Sequence, residues 1–335
     1  MDRKYDIKNF QSQKTAPQLK KLIQAELPQD FFERSKSRVL YLILVYILFG
    51  IHFLITTKFL AGSLSILIWF LSFFILANVG TFAFFFMHEV LHGAVFKSPW
   101  AVFLSAFLGG IPFACTPYLW NIWHTHHHSY TATCLDTDRA KHPHYDDFNE
   151  LSTLLQHIGK KFLYKDVLSY FAPFVVISGH HLLIFCQSFL SIGPIKIHKS
   201  KALIQYLIVA SILSSPLFLC PLPLALLGIY IPILFANLIC NLYILSNHNN
   251  NPLTESNYPL LNSTSVYLSK FMHQTHMGFG CHVEHHIFPT VTHDKLNIAT
   301  NVLRKTYPKE FEEHNLFFVL HSIYSRKKIF QDIIR

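Results

Sequence analysis

Residues 64–92 read LSILIWFLSFFILANVGTFAFFFMHEVLH, an apolar run that ends in two histidines. Between Leu64 and Met87 the run contains no Asp, Glu, Lys or Arg. Because a helix needs about 20 apolar residues to cross the hydrocarbon core of a bilayer, the run predicts a membrane-spanning helix. That helix would carry His88 and His92 to the membrane surface, where residues four apart share one helix face.

Two further histidine clusters follow along the chain. Their members, at spacings i, i+3 and i+4, are His124, His127 and His128, and then His282, His285 and His286. Such spacing lets each cluster present its imidazoles from one helix face to a metal. Eight imidazoles exceed the roughly four ligands of a single zinc ion and therefore predict two metals. Imidazole suits zinc, copper, iron and nickel, so the ligand type leaves the metal open.

The composition indicates a chain that crosses the membrane several times. Of its 335 residues, 51% are hydrophobic and only 14% are charged, whereas soluble domains carry about 25% charged residues. The net charge is +9. In a membrane protein, such an excess of Lys and Arg typically lies in loops, where it sets the orientation of the chain and contacts lipid headgroups. No nucleic-acid-binding motif accompanies this charge, so we expect no nucleic-acid partner.

The apolar runs predict four transmembrane helices in two hairpins. The expected spans are about 39–57, 64–87 and two within 203–245, where Pro221 and Pro223 interrupt the run. The first hairpin would turn at Ala61-Gly62. Lys and Arg crowd before Val39, which by the positive-inside rule places that end in the cytoplasm.

Two other apolar runs are expected to stay at the interface. Ala101–Ala114 is short and broken by glycine and proline, which favours a re-entrant or interfacial segment. Phe171–Leu190 contains His180 and His181, whose roles the sequence leaves open. If this run crossed the membrane, the third histidine cluster would face the opposite side from the first two. The predicted fold class is therefore all-α and polytopic, with interfacial segments and a helical cytosolic cap that holds the metals.

The chain is expected to have three segments. Residues 1–38 form a cytosolic N-terminal segment, residues 39–305 the membrane domain, and residues 306–335 a cytosolic tail. The first segment contains apolar positions at helical spacing, which predict an amphipathic helix on the membrane surface. The residues that define this helix are Leu19, Leu22, Ile23 and Glu26.

The order and spacing of the clusters resemble the histidine boxes of the membrane-bound fatty acid desaturase and hydroxylase superfamily, over about residues 35–305. The matching stretches are His88-Glu-Val-Leu-His92-Gly93, Trp123-His124-x-x-His127-His128 and His282-x-Glu284-His285-His286-x-Phe288-Pro289. The three-residue gap in the first box resembles acyl-lipid and sphingolipid desaturases more than acyl-CoA desaturases.

The resemblance implies four transmembrane helices and a cap with two irons, which use O2 to introduce a double bond into a lipid acyl chain. It also implies a further histidine ligand after the last span, for which His248 is the candidate. Asn241 would help through a water, although Ile244 stands where acyl-CoA desaturases have an asparagine. Because the chain has no HPGG haem motif, electrons are expected from a separate ferredoxin or cytochrome b5.

Carboxylates near the boxes are candidates for orienting the ligands. Ligating histidines usually donate their second N–H to a carboxylate or carbonyl, and Glu89, Glu284 and Asp136 lie near the boxes in sequence. Four other histidines lack the box spacing or face another way and are not expected to bind metal. They are His126, His273, His276 and His293.

Other functions compatible with these residues belong to three classes. A lipid hydroxylase of the same superfamily shares the first hydrogen abstraction with a desaturase. The first box also reads HExxH, the motif of zinc proteases in which the glutamate, here Glu89, is the general base. A membrane protein that binds lipid without chemistry is the third class. The expected location is a bacterial inner membrane or the endoplasmic reticulum.

Overall fold

The computed structural model describes residues 14–133, 135–136, 153, 156, 171–191, 195–248, 251–252, 254–267, 269–311 and 313–325. Its helices are α1 (Ala16–Ile23), α2 (Val39–Leu60), α3 (Ile66–Leu91), α4 (Pro99–Gly110), α5 (Pro117–Tyr130), α6 (Val176–Phe189), α7 (Lys199–Leu219), α8 (Leu222–Ala225), α9 (Ile231–His248), α10 (Pro259–Asn262), α11 (Lys270–Thr275), α12 (His282–Ile287), α13 (His293–Thr306) and α14 (Leu316–Ser325). A π-helical turn, Leu226–Tyr230, joins α8 to α9. The short strands β1 (Ser265–Tyr267) and β2 (Glu313–Asn315) pair in parallel.

Four helical stretches in the described part are long and apolar enough to cross a membrane. They are Lys36–Leu60, Ile66–Leu91, Lys199–Leu219 and Leu222–His248. The first hairpin turns at Gly62, whose φ of +72° is one that glycine adopts without a Cβ clash. Outward side chains such as Leu67 (73% exposed) and Phe218 (84% exposed) are suited to lipid. The predicted all-α polytopic fold is confirmed.

Neither of the two segments expected at the interface, 101–114 and 171–190, forms a single straight helix long enough to cross the membrane. The helical stretch Pro99–Phe113 meets α5 at 89°, and the chain turns at Ala114 with a left-handed φ of +53°. α6 has 14 residues, too few for a simple span. The His181 imidazole anchors it, because its Nε2 accepts the Thr116 N–H at 2.9 Å.

The predicted amphipathic helix forms as α1, but its apolar face packs on protein instead of lipid. Leu19 and Ile23 are fully buried in a cluster with Phe31, Leu260 and Phe288. Leu22, by contrast, is 52% exposed, and the position of this helix on the membrane surface stays a prediction. The three-segment division of the chain stays a prediction.

Candidate metal centre

The end of α3 fixes the first pair of histidines. The helix stops at Gly93, whose φ of +74° allows the Gly93 N–H to bond Val90 O at 2.9 Å and the Ala94 N–H to bond Glu89 O at 3.1 Å. Helices commonly end on such a left-handed glycine. The rings of His88 and His92 consequently lie 4.8 Å apart, centroid to centroid.

A group of five imidazoles forms around this pair. The His88 Nε2 lies 3.0 Å from the His124 Nε2, which lies 3.0 Å from the His128 Nε2. The His128 Nε2 is in turn 3.1 Å from the His285 Nε2. One ligand atom from each of these four rings and from His92 lies within 4.8 Å of all the others. We call these five residues the first histidine group.

The second histidine group lies beside it. His127, His248 and His286 each offer a ligand atom within 4.8 Å of the other two. The His282 Nε2 joins them, at 2.7 Å from the His248 Nε2 and 3.1 Å from the His286 Nε2. All nine histidines expected to bind metal are thus brought together, five in one group and four in the other.

The boxes do not map one to one onto the groups. His127 and His128 enter different groups, and so do His285 and His286. Adjacent residues of an α-helix point about 100° apart, because one turn takes 3.6 residues. The expectation that each box serves one metal from a single face is therefore corrected: the second and third boxes each contribute to both groups.

The arrangement of nitrogen atoms fits two bound cations. Several Nε2 atoms face each other at hydrogen-bond distance, and those of His124 and His282 each face two others. The buried Nδ1 atoms of His88, His282 and His285 have no hydrogen-bond partner in the described part of the chain. Converging lone pairs repel each other unless a positive charge lies between them. A metal in each group would supply that charge and leave Nδ1 to carry the ring proton.

Burial keeps these rings neutral. It lowers the pKa of His282, His285 and His286 well below the usual 6.5, and neighbouring histidines lower it further. The pKa of His92 falls to about 3 for the same two reasons. Because metals bind the unprotonated nitrogen of neutral imidazole, each of these four rings keeps a lone pair free for a metal.

Among the described residues, Asp136 is a carboxylate that contacts a grouped histidine. Its Oδ1 lies 2.9 Å from the His127 Nδ1, and its Oδ2 accepts the Ala132 N–H at 2.8 Å. This contact is the one by which an orienting carboxylate fixes the tautomer of a ligand. It leaves the His127 Nε2 to face the second histidine group.

Glu89 contacts different partners from those expected. Its Oε1 accepts the His293 N–H at 2.8 Å and lies 3.0 Å from the His293 Nδ1, while its Oε2 lies 3.5 Å from the Nε of the buried Arg38. The His293 ring stacks on His285, with centroids 4.9 Å apart. Glu89 is therefore connected to the first histidine group through His293, which sequence spacing could not reveal because Glu89 and His293 are 204 positions apart.

Glu284 and Asn241 were expected to orient metal ligands, but their hydrogen bonds in the structure go to other residues. Glu284 accepts hydrogen bonds from the hydroxyls of Ser265 and Thr300, and burial raises its pKa to about 7. Neither bond involves a histidine. The Asn241 Nδ2 donates to Pro173 O at 3.1 Å, and the buried Asn241 Oδ1 has no partner among the described residues. The contact through water stays a prediction.

Apolar rings surround the first histidine group and link it to the membrane helices. Trp120 stacks on His124 with centroids 4.0 Å apart, and Phe279 lies 5.3 Å from His88. Phe279 stacks in turn on Phe85 of α3 at 4.1 Å. The candidate site is therefore shielded from water on these sides.

Comparison with known protein families shows which family the chain belongs to. A family model described as fatty acid desaturase matches residues 63–317, a range that includes the three boxes and His248. The chain belongs to the fatty acid desaturase family. The comparison with curated proteins gave no match. Membership of the desaturase family, together with four apolar spans and histidine groups that can hold metal, indicates an integral membrane oxidoreductase.

The remaining histidines of this desaturase-family protein have other partners. His126 packs on Tyr130, with ring centroids 4.7 Å apart, and the His276 Nδ1 lies 2.8 Å from the Tyr243 hydroxyl. The His273 Nε2 bonds the Asn297 side chain at 2.8 Å. None of these three belongs to either histidine group.

Proposed function

We propose that this protein is an O2-dependent desaturase that introduces a double bond into a lipid acyl chain at a di-iron centre. The first histidine group would hold one iron and the second group the other. The observation that carries the proposal is the convergence of nine imidazoles, six buried and three half-buried, into two adjacent groups beside the membrane helices. Membership of the desaturase family supports the same reaction class.

The two irons would supply the O2 activation that breaking an unactivated methylene C–H bond requires. The residues of the chain have complementary tasks. Neutral imidazoles would hold the metals without adding charge, Asp136 orients His127, and Trp120 and Phe279 keep water away from the first histidine group. Exclusion of water limits side reactions of a strong oxidant.

The proposed reaction balances with an external reductant. Two neighbouring C–H bonds of the acyl chain break and a C=C bond forms. O2 takes up the two hydrogens, two further protons and two electrons from a separate ferredoxin or cytochrome b5, and two water molecules are formed. The cationic residues before the first span, Arg34, Lys36 and Arg38, favour a cytosolic position for the histidine groups, where such a donor could dock.

Hydroxylation and zinc-dependent proteolysis are the two alternative reactions, and each can be distinguished from desaturation. A hydroxylase would use the same residues for the first hydrogen abstraction, and its product would carry a hydroxyl group. A zinc protease would need Glu89 free to act as a base at the metal, but the Glu89 carboxylate is engaged by Arg38 and His293. This arrangement favours desaturase or hydroxylase chemistry over proteolysis.

The test is metal analysis of protein purified anaerobically, followed by lipid product analysis. We expect about two irons per chain, lost in the double variant His127→Ala/His285→Ala, which removes one imidazole from each group. His126→Ala is the matched control, because His126 lies outside both groups, and it should keep the iron. One zinc per chain, unchanged in the double variant, would overturn the proposal. An unsaturated product supports a desaturase, and a hydroxylated product a hydroxylase.

A further inference from the structure

A pocket lies where the N-terminal segment meets the loop after the first box. Its volume is about 560 Å³, and its walls come from residues 32–34, 36 and 95–98. The Arg34 Nε donates to Gly93 O at 2.8 Å, so one wall of the pocket is tied to the residue that follows His92. The pocket is separate from both histidine groups, whose members do not line it.

The pocket carries a net positive charge. Arg34, Lys36 and Lys97 line it together with one acid, Glu33. No ion pair joins these four side chains to any of the described residues. Three cations against one anion leave an excess positive charge, which favours a ligand with a net negative charge.

The position of the pocket matches the headgroup layer of a membrane. Lys36 begins the first candidate span, and Trp100, two residues after the pocket, is 79% exposed. Tryptophan is enriched at membrane interfaces, and basic pockets beside transmembrane helices bind anionic headgroups. Val95 and Phe96 line the same pocket and offer an apolar wall for the glycerol and first methylenes of a lipid.

We propose that this pocket binds the phosphate-bearing headgroup of an anionic membrane lipid. Arg34, Lys36 and Lys97 would contact the phosphate, and Glu33 would disfavour a second negative group beside it. A bound lipid would bridge the N-terminal segment and the loop after the first box. The inference rests on the pocket, its charges and its place beside the first span, and holds whatever the reaction at the histidine groups.

Native mass spectrometry of the full chain in detergent can measure this binding directly. Phosphatidylglycerol and phosphatidylcholine with identical acyl chains are the probes. We expect the anionic lipid to bind at least tenfold more tightly, since the zwitterionic lipid places a cation near the excess positive charge. Lys36→Ala/Lys97→Ala should weaken phosphatidylglycerol binding about 30-fold, since each lysine near the membrane surface contributes about fivefold.

Matched variants keep the test decisive. Lys199→Ala/Lys201→Ala removes two lysines at the start of another span and should leave binding unchanged. Lys36→Arg/Lys97→Arg should retain it, which separates loss of charge from misfolding. Equal binding of the two lipids, or equal weakening in the Lys199/Lys201 variant, would overturn the proposal. Displacement of the lipid by millimolar inorganic phosphate would also overturn it, because the site would then recognise a soluble phosphate.

Discussion

At the scale of single residues, the partner of the second ring nitrogen decides what each histidine can do. The His127 Nδ1 faces Asp136 at 2.9 Å, and the His286 Nδ1 lies 3.3 Å from the Thr131 hydroxyl. Each contact leaves Nε2 as the nitrogen available to the second histidine group. Spacing in the sequence predicted these rings as ligands, but only the folded chain determines which carboxylate meets which ring.

Replacing Asp136 by asparagine tests this contact. Asp136→Asn keeps the size of the side chain but removes the charge that stabilises an Nδ1–H on His127. We expect metal affinity at the second histidine group to fall about 10- to 100-fold, with little change in the folded fraction. Metal content after dialysis against a graded chelator is the measurement. Asp30→Asn, at an exposed acid, is the control, and equal metal retention in both variants would contradict the assignment.

At the scale of elements, close packing between α3 and α4 positions the first box. A Cβ added at Gly109 would lie 2.5 Å from Ala83 O and 3.0 Å from the Met87 Cβ. Met87 immediately precedes His88, so a displacement at this contact reaches the first histidine group. The sequence indicated a short, broken segment at 101–114, but only the folded chain shows that Gly109 in this segment packs against Ala83 and Met87 of α3.

Gly109→Ala is expected to disturb the metal centre from outside it. Overpacking of this kind costs about 1–3 kcal/mol, so we expect a lower unfolding temperature and less bound metal. Gly50→Ala is the matched control, because nothing lies within 4 Å of a Cβ added there. Thermal unfolding in detergent and metal analysis of both variants give the answer. If the two variants behaved alike, the α3–α4 contact would not position His88.

At the scale of the whole molecule, the buried histidines couple folding to pH. In the folded, metal-free chain the pKa values of His92, His282, His285 and His286 lie below the ordinary value of 6.5. Below pH 6.5 the unfolded chain therefore binds more protons than the folded chain. The free energy of unfolding consequently decreases as the pH falls. Glu284 acts in the opposite direction, since its pKa is raised to about 7, but four histidines outweigh one carboxyl.

The expected outcome is a metal-free protein that loses stability as pH falls from 6.5. Each of these histidines lowers the free energy of unfolding by about 0.7 kcal/mol per pH unit at pH 6.5 and by about 1.4 kcal/mol per pH unit well below that pH. Unfolding temperatures of the metal-free protein between pH 7.5 and 5.5 measure the slope. The variant His282→Gln/His285→Gln should have a shallower slope, and a flat or rising stability of the unaltered protein toward acid would contradict the assignment.

Local features of the sequence determined the four spans, the two hairpins and the identity of the clustered histidines. Apolar length, turn residues and spacings of three or four positions act within one helix, so they can be read from the chain directly. The added ligand candidate, His248, came from resemblance to a family, and the structure places it beside His282 at 2.7 Å.

Only the tertiary structure decided how the boxes divide between two groups, which partners Glu89 and Asp136 take, and what covers α1. His127 and His128 separate because adjacent helix positions point about 100° apart, and their partners come from distant helices. The Glu89–His293 contact joins residues 204 positions apart, and Leu19 and Ile23 are buried against distant residues around Phe288. Periodicity shows that a face is apolar or that a side chain can bind. Which group it meets depends on how the whole chain packs.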